Sequence, residues 1–233
     1  MTNLKLEIES IILKIEAGDI PADKAWDKIK KLKEEYVKQR GQQSWNSFIG
    51  HRFQGMIHAI LKSYARKLKG ESRAFNGLEI LTEGEAKNNE IILRKLAVKY
   101  GDFLLLPDVD SAIVWIDPTD KWNSEILAVI SCKTSLRERI AQACYWKLKL
   151  ISSDVQKNIR VFLATADNDN DFDIDNDGGR FNGRSRDRVI SEYELDGIYI
   201  LKEDFDSNWE SDKVKRFERI FNDIIQLVKN KER

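Results

Sequence analysis

The segment from Leu104 to Leu150 constrains the fold more than any other part of the chain. It contains two apolar stretches, each of a length typical of a buried β-strand, followed by an amphipathic stretch with helical periodicity. Asp117, Pro118 and Asp120 lie between the two apolar stretches and have the chemistry of a turn. The segment therefore predicts two adjacent antiparallel strands and a helix that follows them.

Charged side chains stand at the ends of these two predicted strands. Asp108 and Asp110 open the first strand, and Lys133 closes the second. An antiparallel hairpin brings these ends together, and a carboxylate beside a lysine can bind a divalent metal and activate a water, which is the chemistry of phosphodiester hydrolysis. Asp110 is the preferred metal ligand because it directly precedes the apolar strand, and Asp108 is its competitor.

Lys133 follows an apolar run, residues 126 to 130, that is expected to be buried. A lysine in that position must reach the edge of the sheet or pair with an acid. It can orient an attacking water and stabilise charge on a scissile phosphate. Ser131 faces the same side of the strand and could bind a metal-held water, although it lacks the charge of a carboxylate.

The pattern formed by Pro107, Asp108, Ser131 and Lys133 resembles the PD-(D/E)xK nuclease motif, with a serine in place of the second acid. The segment from Lys133 to Arg139 is similar to the K-x-x-x-R-(D/E)-R signature of type II restriction endonucleases that read CCGG, CCNGG or CCWGG. This resemblance implies an α/β fold with a mixed β-sheet flanked by helices, a catalytic Lys133 and Mg²⁺ as the cofactor.

The same resemblance assigns Arg137, Glu138 and Arg139 to reading C:G pairs. Guanine accepts from an arginine fork and cytosine donates to a carboxylate, so the residue types suit this role. Arginines gain nothing from the dipole at a helix N-terminus, which favours anions, and this placement suggests a negatively charged ligand. The alternative is an exposed, charged start of the helix.

Two amphipathic helices are predicted near the amino terminus, over residues 3 to 16 and 21 to 40. They predict an N-terminal helical region, residues 1–43, and a catalytic nuclease domain, residues 44–233. The N-terminal region is either an appendage packed on the surface or an arm that forms a dimer or clasps DNA.

A third helix is predicted over about residues 44 to 69. Within it, the segment from Gly50 to Gln54 resembles the G-x-x-F-E segment that many restriction nucleases carry before the catalytic sheet, where the glutamate points at the metal. Gln54 retains an oxygen but not the negative charge. It is the candidate to complete the site, because no acid lies between Glu138 and Asp154; a solvated or capping glutamine is the alternative.

Later segments predict two more buried strands, Ile159 to Thr165 and Gly197 to Leu201, and an amphipathic helix near the carboxyl end. Between the strands lies a polar segment, residues 167 to 188, predicted to be a long loop. Its second half suits contact with a DNA groove or phosphates; a loop that does not touch DNA is the alternative. The residues of that half that suit such contact are Arg180, Asn182, Arg184, Arg186 and Arg188, and the first four are the candidate DNA-binding residues.

Composition limits the possible functions. The chain has 233 residues, with 39 basic and 39 acidic side chains, so DNA binding requires positive charge concentrated on one face. Cys132 and Cys144 suit reduced, buried positions rather than a disulfide framework. No apolar run is long enough to cross a membrane and no leader pattern begins the chain, so a cytoplasmic protein is expected.

These patterns lead to one main functional hypothesis, a type II restriction endonuclease that cuts double-stranded DNA at a short palindromic site containing C:G pairs. A palindromic target implies a homodimer. A cognate DNA methyltransferase is implied by the resemblance alone. Two alternatives are a repair or junction-resolving nuclease of the same fold and a catalytically impaired DNA-binding protein.

Overall fold

The structure is a computed structural model that describes residues 3–17, 19–136, 139–153, 155–175, 178 and 180–231. Its centre is a mixed β-sheet with helices on both faces, as the resemblance to restriction endonucleases implied. The helices are α1 (Asn3–Glu16), α2 (Ala22–Lys31), α3 (Lys33–Arg40), α4 (Gln42–Glu71), α5 (Glu83–Asn88), α6 (Glu90–Leu96), α7 (Arg139–Ile151), α8 (Arg186–Glu194) and α9 (Arg219–Lys231). The strands are β1 (Leu78–Thr82), β2 (Val98–Tyr100), β3 (Phe103–Leu105), β4 (Ser111–Trp115), β5 (Glu125–Lys133), β6 (Arg160–Thr165), β7 (Gly197–Ile200) and β8 (Val214–Arg216).

The main sheet has the strand order β1-β4-β5-β6-β7-β8. The pairs β1–β4 and β4–β5 are antiparallel, whereas β5–β6, β6–β7 and β7–β8 are parallel. The predicted hairpin is β4–β5, and α7 makes the crossover from β5 to its parallel neighbour β6, as a parallel pair requires. The predicted order of strand, strand, helix and strand is therefore confirmed.

Apolar side chains cover both faces of this sheet. One buried cluster joins α1, α2, α4 and α9 to one face, and a second joins α6, α7 and the segment after α8 to the other. Trp26 of α2 packs edge-on against Phe53 of α4 at 4.8 Å between ring centroids, so the N-terminal helices share a core with α4. The predicted amphipathic C-terminal helix is α9, which contributes Ile220 and Ile224 to the first of these clusters.

Several short elements were not predicted. β2 and β3 form a separate two-stranded sheet in which Phe103 and Leu104 are exposed, and β8 adds an edge strand beside β7. The predicted long loop, residues 167 to 188, ends in the first turn of α8. Arg188, whose position in that segment suggested contact with DNA, is fully buried and donates to the carbonyls of Phe172 and Trp209, so that interpretation was wrong for Arg188.

A polar cluster around the buried Lys202 and Asp167 holds the turn that follows β6. Lys202 Nζ donates to Asn170 Oδ1 at 2.9 Å and to Asp173 Oδ1 at 2.8 Å, and it lies 4.0 Å from Asp167 Oδ2. The Asp167 carboxylate accepts from the backbone N–H of Asp171 at 2.8 Å. Burial raises the pKa of Asp167 to about 7, and the nearby Lys202 cation opposes that rise.

This raised pKa predicts a pH dependence of stability. Asp167 binds a proton more tightly in the folded chain than in the unfolded chain, so its contribution to the free energy of unfolding is fully present below pH 4 and is lost as the pH rises to about 7. In Asp167→Asn we expect that loss, on the order of a few kcal/mol, to disappear. Denaturant unfolding at several pH values between 4 and 8 measures it.

Asn is compatible with the positive φ of 48° at this position, so the substitution adds no backbone strain. The exposed Asp102→Asn is the control and should keep the pH dependence of the parent protein. An unchanged pH dependence in Asp167→Asn would contradict the assignment.

Candidate active site

The structure brings Asp110 and Lys133 into contact at the end of the β4–β5 hairpin. Ser111 pairs with Ile130, so Asp110, one residue earlier, lies beside the carboxyl end of β5. Its Oδ2 accepts from the backbone N–H of Cys132 at 2.6 Å and from Lys133 Nζ at 3.4 Å. The antiparallel register thus places an anion and a cation at one corner of the sheet.

Both side chains of this pair are largely withdrawn from solvent, with exposed fractions of 10% for Lys133 and 11% for Asp110. Burial raises the pKa of Asp110 above its ordinary value, while the Lys133 cation and the Cys132 N–H act in the opposite direction. Asp108 adds to the rise because it is a second negative charge nearby. A cation at this corner would therefore be favoured electrostatically.

Asp108 points elsewhere. Its Oδ2 accepts from Gln142 Nε2 of α7 at 2.8 Å, so the two aspartates diverge although they are two residues apart. Ser131 is buried on β5, two residues before Lys133 and on the same strand face. Asp108, Ser131 and Gln142 line one narrow cavity between β5 and α7.

An open cavity of about 260 Å³ lies on the other side of Asp110. Its walls are the polar face of α4, the end of β1 with the start of α5, and the approach to β4. Gln54 and Asp110 both line it, so the structure brings these two predicted site residues to one space. His51, His58 and Glu83 line it as well.

The imidazole of His58 is held by a hydrogen bond and lies near one carboxylate. Its Nδ1 shares a hydrogen bond with Ser111 Oγ at 3.1 Å, and its Nε2 lies 3.9 Å from Glu85 Oε2. Burial lowers the pKa of His58, which favours the neutral imidazole at neutral pH. Glu85 also accepts from Lys62 Nζ at 2.8 Å, and this bond together with hydrogen bonds from Thr82 lowers the pKa of Glu85 to about 2.

Three glutamates, at positions 83, 85 and 90, precede β4 and β5 in the chain and could supply a further acid. Glu85 is engaged by Lys62 and by the Thr82 backbone, and Glu90 pairs with Arg94 at 2.8 Å on α6. Glu83 lines the cavity beside Asp110, although its carboxylate also pairs with Lys87 at 2.6 Å. Glu83 is the one of the three that shares a cavity with Asp110.

Of the predicted base-reading triplet, Arg137 and Glu138 lie outside the described residues. Arg139 is exposed at the first position of α7. It lines a separate cleft of about 620 Å³ together with Thr134 and Ser135, which directly follow Lys133. The described part of the triplet therefore faces open space next to the corner that holds Asp110 and Lys133.

The candidate residues of the 167–188 segment have different environments. Arg180 begins a short 3-10 turn, in which Asn182 is exposed with a φ of 56°. Arg184 Nε lies 3.7 Å from Glu192 Oε2, so its guanidinium pairs within the protein. Arg186 is exposed at the start of α8. Contact between these residues and DNA remains a prediction.

Sequence reasoning missed the part that α4 plays along its whole length. Residues at four-residue spacing form a polar stripe on this helix, interrupted by Gly50: Gln42, Asn46, Gln54, His58 and Lys62. The first two line the larger cleft, whereas Gln54 and His58 line the cavity beside Asp110. The spacing was visible in the sequence, but the two cavities at its ends were not.

The mixed sheet and its flanking helices have the fold of restriction endonucleases. The chain aligns with the PspGI restriction endonuclease–substrate DNA complex at a TM-score of 0.51, with 14% identity, covering 99% of this chain and 94% of the other. It aligns with the specific AgeI restriction endonuclease–DNA complex at a TM-score of 0.54, with 11% identity, covering 97% and 92%.

Sequence comparison gives the family. The model for the BsaWI restriction endonuclease type 2 family matches residues 85–223. MjaVIP of Methanocaldococcus jannaschii, whose name describes it as a type II restriction enzyme, is 38% identical over 211 residues, which are 84% of this chain and 86% of that protein. HpyAORF263P of Helicobacter pylori, similarly named, is 34% identical over 148 residues, 59% of this chain and 72% of its own. The chain belongs to the BsaWI family of type II restriction endonucleases.

Within the described ranges, no helix is both long enough and apolar enough to span a bilayer. Cys132 and Cys144 are free and buried, as their positions in the sequence predicted.

Proposed function

We propose that this protein is a Mg²⁺-dependent endonuclease that hydrolyses phosphodiester bonds in double-stranded DNA at a short palindromic site containing C:G pairs. The contact between Lys133 and Asp110, beside an open cavity that Asp110 lines, carries the proposal. Membership in a restriction endonuclease family supports the nuclease activity.

The donor set at this corner suits a hard cation that keeps much of its water. No group of three or more His, Cys, Asp or Glu side chains in the described part of the chain is arranged to hold an ion by itself. Mg²⁺ is commonly held by one or two carboxylates plus waters and substrate phosphates, unlike zinc, which takes four protein ligands in structural sites. Asp110 would hold the ion, with Asp108 as its competitor and Gln54 as a neutral oxygen donor.

Each side chain has a distinct task in this proposal. When bound, Mg²⁺ supplies Lewis-acid activation of the scissile phosphate and of the attacking water. Lys133 donates to the water or to a phosphate oxygen, and its low exposure keeps that charge effective. Asp110 keeps the ammonium group in place through their contact. Ser131 can donate to a water on the same strand face.

Site recognition would fall to the start of α7. Arg139 lies exposed beside the cleft, and its guanidinium can reach guanine acceptors in a major groove. Arg137 and Glu138 would read the neighbouring C:G pair. A palindromic site presents two equivalent halves, so the active form would be a homodimer, and a cognate methyltransferase would protect the host DNA.

Digestion of DNA of known sequence tests the function. The purified protein with Mg²⁺ should give discrete fragments, and sequencing their ends should reveal one short palindrome with C:G pairs. The same digest with EDTA should leave the DNA intact. A smear, or cutting confined to branched or mismatched DNA, would instead favour a repair or junction-resolving nuclease.

The scarcity of carboxylates predicts a strong effect of Gln54→Glu. The new carboxylate would face the cavity that Asp110 lines and strengthen cation binding, so half-maximal cleavage should need about tenfold less Mg²⁺. A magnesium titration of the cleavage rate measures this. Gln43→Glu, on the exposed start of α4, is the control and should leave the titration unchanged.

The same variant separates an active enzyme from an impaired one. An inactive parent with an active Gln54→Glu variant would favour the catalytically impaired DNA-binding protein. An active parent whose magnesium requirement is unaffected by Gln54→Glu would show that residue 54 does not approach the cation.

A further inference from the structure

The cleft of about 620 Å³ lies between the N-terminal helices and the nuclease core. One wall is formed by α2, the start of α3 and the first turns of α4. The other wall is formed by Thr134 to Leu136, which directly follow Lys133, by Arg139, and by the turn after β6. Among the cavities of the described chain, this one joins the N-terminal region to the segment that carries the predicted catalytic lysine.

Backbone hydrogen bonds fix this second wall to the active corner. Ala166 N–H donates to the Lys133 carbonyl at 3.3 Å, and Asn168 N–H donates to the Thr134 carbonyl at 3.1 Å. The polar stripe of α4 runs from Gln42 and Asn46 in the cleft to Gln54 beside Asp110. A linear ligand whose reacting atom lies at Asp110 can therefore continue along α4 into the cleft.

The charge of the cleft is positive although the chain has no net charge. Lys30, Lys33 and Arg139 line it, and Asp169 is the one carboxylate among its lining residues. Lys30 is paired with Asp27 at 2.6 Å, whereas Lys33 is exposed. The remaining polar side chains are hydroxyls and amides, such as Asn46 and Asn168, which also donate hydrogen bonds.

These donors and cations together suit a ligand that is rich in hydrogen-bond acceptors and carries negative charge. A phosphate group, with its charged oxygens, has that chemistry.

We propose that this cleft holds the sugar-phosphate backbone of the DNA that flanks the cleavage point, with Lys30 and Lys33 as phosphate contacts. The N-terminal helices then form part of the DNA-binding surface instead of a packed appendage. This inference rests on the proposed function, because it requires a DNA duplex at the Asp110–Lys133 corner.

The salt dependence of binding tests the proposal. Each phosphate contact contributes about 0.9 to the slope of log K against log salt concentration. We expect Lys30→Ala/Lys33→Ala to reduce that slope by roughly 1 to 2 and to weaken binding about tenfold or more at low salt. The probe is a fluorescent duplex that carries one cleavage site found by the digest, titrated in EDTA so that it stays intact.

The matched control is Lys28→Ala/Lys31→Ala. It removes the same two charges at the same three-residue spacing from α2, but neither lysine lines the cleft. Its slope and affinity should be those of the parent. The single variant Lys33→Glu changes an exposed side chain without disturbing the core, and it should weaken binding more than Lys33→Ala does.

The outcomes separate the two proposals. If the parent gives no discrete cleavage of DNA, the proposed function fails and this inference fails with it. If the parent cuts at discrete sites but the Lys30/Lys33 variants bind like the Lys28/Lys31 control, the function stands and the cleft is not a DNA surface. If the slope of log K against log salt concentration falls in the Lys30/Lys33 variants and not in the Lys28/Lys31 control, the result supports the cleft as a DNA-binding surface.

Discussion

Lys133→Ala is expected to lower the cleavage rate by about 10²–10³-fold or more while leaving DNA binding nearly unchanged. The ammonium group lies 3.4 Å from Asp110, where it can stabilise charge on a phosphate, and no other described lysine contacts that carboxylate. Single-turnover cleavage and duplex binding, measured on the same preparation, separate the two effects.

Lys121→Ala is a suitable control for Lys133→Ala because Lys121 is exposed in the turn between β4 and β5. It should cut at the parent's rate. Retained cutting by a folded Lys133→Ala protein would reject the catalytic assignment. A thermal melt of the variant establishes that loss of activity is not loss of the fold.

Asp110→Asn is expected to reduce the cleavage rate by more than about 100-fold. Loss of a residue that only hydrogen-bonds to a metal ligand typically costs about 10- to 100-fold, and Asp110 is proposed to bind the metal directly. Asp108→Asn should stay within about tenfold of the parent, because Asp108 is directed at Gln142 and not at Lys133. The two variants make the same substitution two residues apart, so each is the other's control.

A second readout for the aspartates is binding of Mn²⁺ in place of Mg²⁺, followed by electron paramagnetic resonance in the presence of a duplex. Asp110→Asn should abolish the tightly bound signal and Asp108→Asn should retain it. The reverse result would move the metal-ligand assignment to the Pro-Asp pair.

Much of the central fold could be predicted because its elements have strong local patterns. The apolar runs of β4 and β5 flank turn-forming residues, and α4 and α9 carry apolar stripes at helical spacing. An antiparallel hairpin brings the start of β4 beside the end of β5. The pairing of Asp110 with Lys133 could therefore be predicted from the sequence.

Other elements could not be predicted because their stability comes from distant residues. α8 has no apolar stripe on its own, and its buried Arg188 is held by carbonyls from other segments. β8 is three residues long with two cationic side chains, and its pairing with β7 makes it a strand. Local propensity carries little information in such cases.

For the site, the sequence by itself determined the residue types, the order of the strands and the corner at which an aspartate and a lysine meet. Only the tertiary structure decided that Asp110 rather than Asp108 contacts Lys133, and that Gln54 shares a cavity with it. It also placed Lys30 and Lys33 opposite Arg139, about a hundred positions later in the chain. Strand register follows from local sequence patterns. Contacts between residues far apart in the chain depend on how the helices pack over the sheet.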